Sequence, residues 1–224
     1  MSIKSSLLIS FIFNSYYLKL NVTRLFFYRL CFMTNDEITI GILAGGKARR
    51  MNNADKGLVK FKNKRFIDHI LDEINKDFVN IIISSNRNID EYNKLQKNVY
   101  KDEFEGYQGP LAGIYTLLNN CKTDILITVP CDAPFIKCDF FYKMMSSYQK
   151  VNSNLLIAKN NRPQPVFMLL DKSLLGSMKI YMENNGRKID EWYFKENYKY
   201  IEFDDSVKYF HNLNTLDDLN DGKK

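Results

Sequence analysis

Residues 40–57 read IGILAGGKARRMNNADKG, in which an apolar strand leads directly into a loop with paired glycines, four cations and one acid. The residues just before it complete a short buried strand over 37–43. Gly45 and Gly46 then let the backbone turn tightly and bring its N–H groups against a bulky anion. The positive charge comes from Lys47, Arg49, Arg50 and Lys56. Guanidinium and ammonium groups on such a loop suit the oxygens of a polyphosphate.

The two most common nucleotide motifs are absent from this loop. A Walker A loop needs Ser or Thr after a Gly-Lys pair, and a dinucleotide fingerprint needs the spacing GxGxxG. Neither pattern occurs between residues 40 and 57. A glycine pair followed by cations is also typical of a basic surface turn, so the rest of the sequence has to decide between the two interpretations.

From residue 33 onward, apolar runs with strand and helix periods alternate. Strands are predicted over 79–83, 124–129, 155–157 and 166–170, and helices over 65–77, 111–120, 139–148, 173–182 and 187–196. The alternation predicts an α/β fold with a doubly wound, mostly parallel sheet that is covered on both faces. Ligands of such sheets bind beyond the carboxyl ends of the strands, which is where the glycine loop and Asp132 fall.

Residues 1–32 differ from the rest of the chain, and we expect them to lie outside the fold. They are apolar and aromatic, but their cations interrupt the apolar run before it reaches the roughly 18 residues of a spanning helix, and no signal-peptide cleavage site follows. A mis-called start before Met33 is our leading interpretation, with a basic amphipathic segment at a membrane surface as the alternative. We therefore predict one domain over 33–224 that works in the cytoplasm without membrane contact.

The net charge of +6 does not indicate a nucleic-acid-binding protein. Residues 1–32 contain four cations and no acid, so the remainder of the chain carries a net charge of +2, most of it concentrated in the loop. No extended basic face for DNA or RNA is expected. The four cysteines show neither a CxxC pair nor zinc-ligand spacing, which favours reduced thiols.

Two aspartates are candidates for a site beside the loop. Asp132 follows a predicted buried strand between Pro130 and Pro134, and it offers the hard oxygen ligand that Mg²⁺ takes together with substrate phosphates. The alternative is a turn aspartate that caps the next helix, but the nearby phosphate loop favours the metal. Asp102 ends another short strand, 99–102, and it is either a nucleotide contact or an exposed acid at a strand end; the residues themselves favour neither.

The order LAGGKARRM at 43–51, followed by DKG at 55–57, resembles the signature of molybdenum cofactor guanylyltransferases. These enzymes transfer GMP from GTP to molybdopterin and release pyrophosphate. The resemblance continues in order to about residue 219, through GPLAG at 109–113, VPCDAP at 129–134, RPQP at 162–165 and NLNT at 212–215. It implies a Rossmann-like nucleotidyltransferase fold, Mg²⁺ as cofactor, GTP and molybdopterin as substrates, and transient contact with molybdoenzymes or their chaperones.

The resemblance, together with the chemistry of the residues, assigns the site. The predicted nucleotide-binding residues are Leu43, Ala44, Gly45, Gly46, Lys56, Ser84, Asp102 and Asp132. The predicted catalytic residues, which hold the triphosphate during transfer, are Arg49, Arg50 and Lys56, and the predicted metal ligand is Asp132. Ser84 stands where the family tends to carry Asn, and Asn86 two residues later is the alternative contact. The segments 162–165 and 186–188 resemble family segments near the pterin acceptor, and Asn214 could add to the metal or acceptor shell.

The choice between GTP and CTP, and the activity itself, each have alternatives. Relatives that transfer CMP to the same cofactor look like LAAG at the start of the loop, so LAGG at 43–46 favours GTP over CTP. Asn52-Asn53 replaces the two glycines that the family usually carries there, although Asn tolerates left-handed backbone well. The rival interpretations are a nucleotidyltransferase that makes a CDP-alcohol or a sugar nucleotide, and a non-catalytic GTP-binding protein that delivers the cofactor.

Overall fold

The computed structural model describes residues 33–45, 55–96, 98–104 and 109–211. The segments 1–32, 46–54 and 212–224 lie outside the described residues. What the sequence predicts for the extension 1–32, for Gly46, Arg49, Arg50 and Asn52-Asn53, and for Asn214 therefore stays a prediction.

Seven of the described strands form one sheet, in the order β5-β4-β1-β6-β8-β7-β9. Strand β8 runs antiparallel to both of its neighbours, and the other paired strands of this sheet run parallel. Strands β2 and β3 form a separate small hairpin. The bounds are β1 Ile38–Leu43, β2 Lys60–Phe61, β3 Lys64–Arg65, β4 Asn80–Ser84, β5 Val99–Tyr100, β6 Ile125–Pro130, β7 Leu155–Lys159, β8 Pro163–Asp171 and β9 Tyr198–Glu202. The predicted mostly parallel sheet is confirmed.

Helices cover both faces of this sheet. In β8, Met168 packs with α3 and α5 in one core cluster, whereas the ring of the next-door Phe167 lies 5.8 Å from that of Phe140 in α4. The α-helices of the described residues are α1 Phe66–Ile74, α2 Ile89–Asn93, α3 Pro110–Asn120, α4 Cys138–Tyr148, α5 Leu175–Glu183 and α6 Ile189–Tyr193. The doubly wound prediction is therefore confirmed. No described helix has the length and apolarity that a membrane crossing requires.

The predicted elements differ from the observed ones mainly at their ends. The strand predicted over 79–83 is β4, one residue later, because Phe78 is buried and Val79 faces solvent with 75% of its surface exposed. The helix predicted over 187–196 is the five-residue α6. Four of these strands and helices were not predicted: α2, β2 and β3 are too short for a periodic signal, and β9 is an edge strand that mixes exposed and buried residues.

The observed position of β4 predicts how two substitutions in and beside it change stability. Ile83 in β4 is fully buried, so Ile83→Ala should lower the free energy of unfolding by about 2–5 kcal/mol through lost burial and a residual cavity. Val79→Ala removes an exposed side chain and should change it by no more than about 0.5 kcal/mol. Urea unfolding followed by far-UV circular dichroism measures both values. Equal costs for the two variants would contradict the observed register.

Candidate functional site

The candidate residues gather at the carboxyl edge of the central parallel strands. In the sheet, Leu43 pairs with Ser84 on one side and with Pro130 on the other. Tyr100 in turn pairs with Ser84. Because these strands run parallel and end at the same level, the residues that follow them lie along one edge of the sheet. The predicted site residues that follow the strand ends are Ala44, Gly45, Asp102 and Asp132.

Main-chain hydrogen bonds hold the end of β1 on both sides. The Ala44 N–H donates to the carbonyl of Ser84 at 2.8 Å, and the Cys131 N–H donates to the carbonyl of Leu43 at 3.0 Å. The pairing thus continues one residue past the end of β1 on the β4 side and one residue past the end of β6. The start of the glycine loop leaves the sheet from a rigid position.

Asp102 accepts hydrogen bonds from two side chains that follow the neighbouring strand. Ser84 Oγ donates to Oδ1 at 2.6 Å, and Asn86 Nδ2 donates to Oδ2 at 2.6 Å. The side chain of Asn86 also accepts from the Asp102 N–H at 3.1 Å. A Cβ on Gly45 would lie 3.5 Å from Asp102 Oδ2, so the loop start borders this group. The two alternatives for the polar residue after β4 therefore both contact Asp102.

The first turn of α3 approaches the same carboxylate closely. A Cβ on Gly113 would lie 2.8 Å from Leu43 Cδ2, 3.0 Å from Ser84 Oγ and 3.5 Å from an Asp102 oxygen. The helix begins with Pro110 after Gly109, whose φ of 78° belongs to glycine. The GPLAG motif therefore starts a helix and gives it the small residue that close packing against β1 and Ser84 requires.

Lys56 and Asp132 form an ion pair across this edge. Nζ lies 2.6 Å from Oδ2, and the side chains are 22% and 11% exposed. The other carboxylate oxygen of Asp132, Oδ1, is buried and has no hydrogen-bond partner in the described part of the chain. The alternative of a helix cap is wrong, because the next helix begins at Cys138 and its N-cap is Lys137.

A metal at this place needs oxygens from a substrate. Among residues 33–45, 55–96, 98–104 and 109–211, no group of three or more His, Cys, Asp or Glu side chains could hold an ion. The unpartnered Oδ1 of Asp132 fits a hard cation whose other ligands are phosphate and water oxygens, which is how Mg²⁺ is usually bound. Such an atom in a folded protein calls for an explanation, and a ligand supplies one.

Sequence reasoning missed three residues behind Lys56. They are Asp55 and the two residues whose side chains donate to its carboxylate, Asn88 and Tyr92. The only available signal was the acid immediately before Lys56 in DKG, because Tyr92 and Asn88 lie more than 30 positions away in the chain. Cys131 lies in the same region, and burial raises the pKa of its thiol well above the ordinary value. Cys131 is thus a neutral thiol and not an activated nucleophile.

The two predicted acceptor segments differ in the availability of their cations. Arg162 is exposed in the turn between β7 and β8 at the same edge of the sheet. Arg187 instead donates through Nη1 to the carbonyls of Met182 at 2.8 Å and Gly186 at 2.6 Å, so it closes the end of α5. His69 contacts the carbonyl of Phe61 at 2.8 Å, so its ring holds the β2–β3 hairpin against α1.

Comparisons with known proteins agree on one family. The family described as MobA-like NTP transferase domain matches residues 40–196. A molybdenum cofactor guanylyltransferase from Shewanella pealeana is 41% identical over 180 residues, which cover 80% of this chain and 90% of that protein. The enzyme of the same name from Shewanella piezotolerans is 42% identical over 175 residues, or 78% of this chain and 86% of that protein. Molybdopterin-guanine dinucleotide biosynthesis protein A from Archaeoglobus fulgidus has the same fold, with a TM-score of 0.70, 23% identity, and coverage of 82% of this chain and 96% of its own.

The close packing of α3 at Gly113 predicts how a methyl group added there would change stability. Gly113→Ala should lower the free energy of unfolding by about 1–3 kcal/mol, because the added methyl group has to displace Leu43 and Ser84. The matched control is Gly176→Ala in α5, where a Cβ meets nothing within 4 Å, and it should stabilise the protein by about 0.4–1 kcal/mol. Denaturant unfolding of both variants measures the difference, and a stabilising Gly113→Ala would contradict the packing described above.

Proposed function

This chain belongs to the MobA-like NTP transferase family, and from that membership we propose that it transfers GMP from GTP to molybdopterin, forming molybdopterin guanine dinucleotide and pyrophosphate. The chain is a nucleotidyltransferase. The observation that carries the choice of substrates is the 41% identity, over 80% of this chain, to an enzyme named molybdenum cofactor guanylyltransferase. The ion pair of Lys56 with Asp132 beside the glycine loop supports the same activity, because it places a phosphate-binding cation next to a metal-binding oxygen.

The nucleoside half of GTP is proposed to bind between the end of β1 and Asp102. Leu43, Ala44 and Gly45 border this space, and Ser84 holds the carboxylate in place. Each carboxylate oxygen carries two lone pairs, so Asp102 keeps acceptor capacity beyond its bonds to Ser84 and Asn86. Guanine N–H groups and ribose hydroxyls are donors of the kind that such an acceptor selects. This arrangement supports a nucleoside-recognising role for Asp102.

The triphosphate half is proposed to bind beside Lys56. The Lys56 side chain is 22% exposed at the sheet edge, where its ammonium can meet a phosphate oxygen. Arg49, Arg50 and the amide of Gly46 complete the set in our proposal, because the sequence places them on the same loop. Asp132 would hold Mg²⁺ through its unpartnered Oδ1. When bound, the ion neutralises and orients the phosphate oxygens.

The transfer step needs no covalent intermediate on the protein. A phosphate oxygen of molybdopterin forms a new bond to the α-phosphorus of GTP, and the bond from that phosphorus to the β-phosphate oxygen breaks. Pyrophosphate leaves with the electron pair. The contribution of the chain is to align the two substrates and to stabilise negative charge with Lys56, Arg49 and Arg50. The neutral thiol of Cys131 is consistent with this direct displacement.

The acceptor is proposed to reach this edge from the side of β8. Arg162 and Lys188 are the exposed cations of the two predicted acceptor segments, and Lys188 contacts Glu191 at 2.8 Å, so Arg162 is the one proposed to meet the phosphate of molybdopterin. The guanidinium of Arg187 donates to main-chain carbonyls. We therefore propose that Arg187 positions the segment 186–188 and does not bind the acceptor itself. We further propose that the enzyme works in the cytoplasm and passes its product to molybdoenzymes or their chaperones by transient contact.

A pyrophosphate-release assay tests the proposed function. The protein is incubated with Mg-GTP or Mg-CTP, each with and without a molybdopterin-charged extract. Pyrophosphate is expected only with GTP and only in the presence of the pterin. Release with CTP would contradict the base assignment, and release without the pterin would contradict the acceptor. Omission of Mg²⁺ should abolish release, and a retained rate in the presence of a chelator would contradict the metal assignment.

Removal of the Lys56 ammonium gives a sharper test. Lys56→Ala should lower kcat/KM for Mg-GTP by about 10²–10³-fold, because the charge that forms on the leaving pyrophosphate loses a fixed cation. The control is Lys64→Ala, which truncates a 58% exposed side chain whose ammonium also contacts an aspartate, Asp72, at 2.6 Å. Lys64→Ala should retain full activity. Steady-state kinetics of both variants decides the matter, and full activity of Lys56→Ala would refute the role of Lys56.

A further inference from the structure

Asp55 is a buried carboxylate held by two neutral donors. It directly precedes Lys56 and is 7% exposed. Tyr92 Oη donates to Oδ1, and Asn88 Nδ2 donates to Oδ2 at 3.1 Å. Tyr92 is the fourth residue of α2, and Asn88 is its N-cap, with a left-handed φ of 50°. Both oxygens of Asp55 are thereby satisfied without a cation.

The same tyrosine leaves no space for a side chain at Gly57, on the other side of Lys56. A Cβ on Gly57 would collide with Tyr92 Oη and would lie 3.3 Å from Cys131 Cβ. The segment 55–57 thus passes between Tyr92 and the residue that precedes Asp132. Its backbone forms a 3₁₀ turn, in which the Leu58 N–H donates to the Asp55 carbonyl at 3.0 Å. The backbone on both sides of Lys56 is therefore fixed by Tyr92.

The hydroxyl of Tyr92 is a permanent donor. Burial raises the pKa of Tyr92 far above its ordinary value, and the neighbouring Cys131 and Asp55 raise it further. The phenol therefore stays protonated over the whole working pH range and does not exchange its role with the carboxylate. Tyr92 itself is fully buried, so no water competes for the bond.

The arrangement bears on the ion pair of Lys56. The ammonium of Lys56 contacts Asp132, although the carboxylate of Asp55 belongs to the adjacent residue. A Cβ on Gly57 would lie 3.3 Å from Cys131 Cβ, so the segment that carries Asp55 passes beside the residue that precedes Asp132. A buried carboxylate without its donors attracts the nearest cation. Two neutral donors thus satisfy Asp55, and the Lys56 ammonium contacts Asp132 and not the carboxylate next to it in the chain.

We propose that Tyr92 and Asn88 are positioning residues for catalysis: by holding Asp55, they fix the segment 55–57 and aim the Lys56 ammonium at Asp132 and at the phosphates of the nucleotide. The proposal rests on the proposed function of the Lys56 and Asp132 site. Neither Tyr92 nor Asn88 contacts the reacting atoms, and both act through Lys56.

The test compares two Tyr→Phe variants that each remove one hydrogen bond to an aspartate. Tyr92→Phe releases Asp55, whereas Tyr148→Phe releases Asp171, whose Oδ2 accepts from Tyr148 Oη at 2.8 Å at the opposite edge of the sheet. Both variants should lower the melting temperature. Only Tyr92→Phe should lower kcat/KM for Mg-GTP, by about tenfold, the usual size of an effect that acts through a neighbouring group. Equal kcat/KM values for the two variants would overturn the proposal.

A double-mutant cycle separates positioning from general loss of structure. In the Lys56→Ala background there is no ammonium to aim, so Tyr92→Phe should change kcat/KM by less than about twofold. A structural defect would reduce kcat/KM by the same factor in both backgrounds, and that result would overturn the proposal. Asn88→Ala should behave like Tyr92→Phe in the same cycle, because it frees the other oxygen of Asp55.

The affinity for Mg-GTP distinguishes this proposal from the proposed function. Equilibrium dialysis with labelled Mg-GTP needs no acceptor and is carried out on the wild type and on the two Tyr→Phe variants. A wild type that binds Mg-GTP but does not transfer GMP would contradict the proposed function alone. The weaker affinity expected of Tyr92→Phe relative to Tyr148→Phe would then still support the positioning role, and equal affinities would refute it.

Discussion

The candidate site depends on the ion pair between Lys56 and Asp132. It joins Lys56 to Asp132, the second residue after β6, so it holds the segment 55–57 at the sheet edge. A partly buried ion pair is favourable only if its remaining polar atoms are satisfied, because both charges lose water. Oδ1 of Asp132 does not meet this condition among the described residues. The pair is therefore better suited to exchanging ligands than to stabilising the fold.

The precision of the site comes from β1, which lies between β4 and β6. Hydrogen bonds at both sides of its end hold Leu43 and Ala44, so the glycine loop starts from a fixed point. On the face of α3, close packing at Gly113 brings the helix against Leu43 and Ser84. A nucleotide bound beyond this edge thus meets backbone and side chains that regular structure has already ordered. Preorganisation of this kind lowers the cost of binding.

The sequence was informative where the signal was local. Apolar periodicity located the central strands and α1, and the order of motifs placed Asp132 and Asp102 beyond strand ends. Strand direction could not be predicted from the sequence, because an apolar run such as β8 looks the same whether it runs parallel or antiparallel to its neighbours. The Asp55, Asn88 and Tyr92 group was invisible for a different reason. Its members come from two segments more than 30 residues apart, and only the fold brings them together.

Three aspartates reach the same end of the sheet, and the fold treats each of them differently. Asp102 receives two neutral donors, Ser84 and Asn86, and Asp55 receives two others. Within the described part of the chain, Asp132 is the one of the three that contacts a cation, and it keeps one buried oxygen without a partner. Neutral donors satisfy a carboxylate without cancelling its charge, and they are fixed in place by their own elements. An ammonium on a flexible stem can be replaced by another cation. We therefore propose that a metal arriving with phosphates binds at Asp132. Binding there leaves the neutral donors of Asp55 and Asp102 in place.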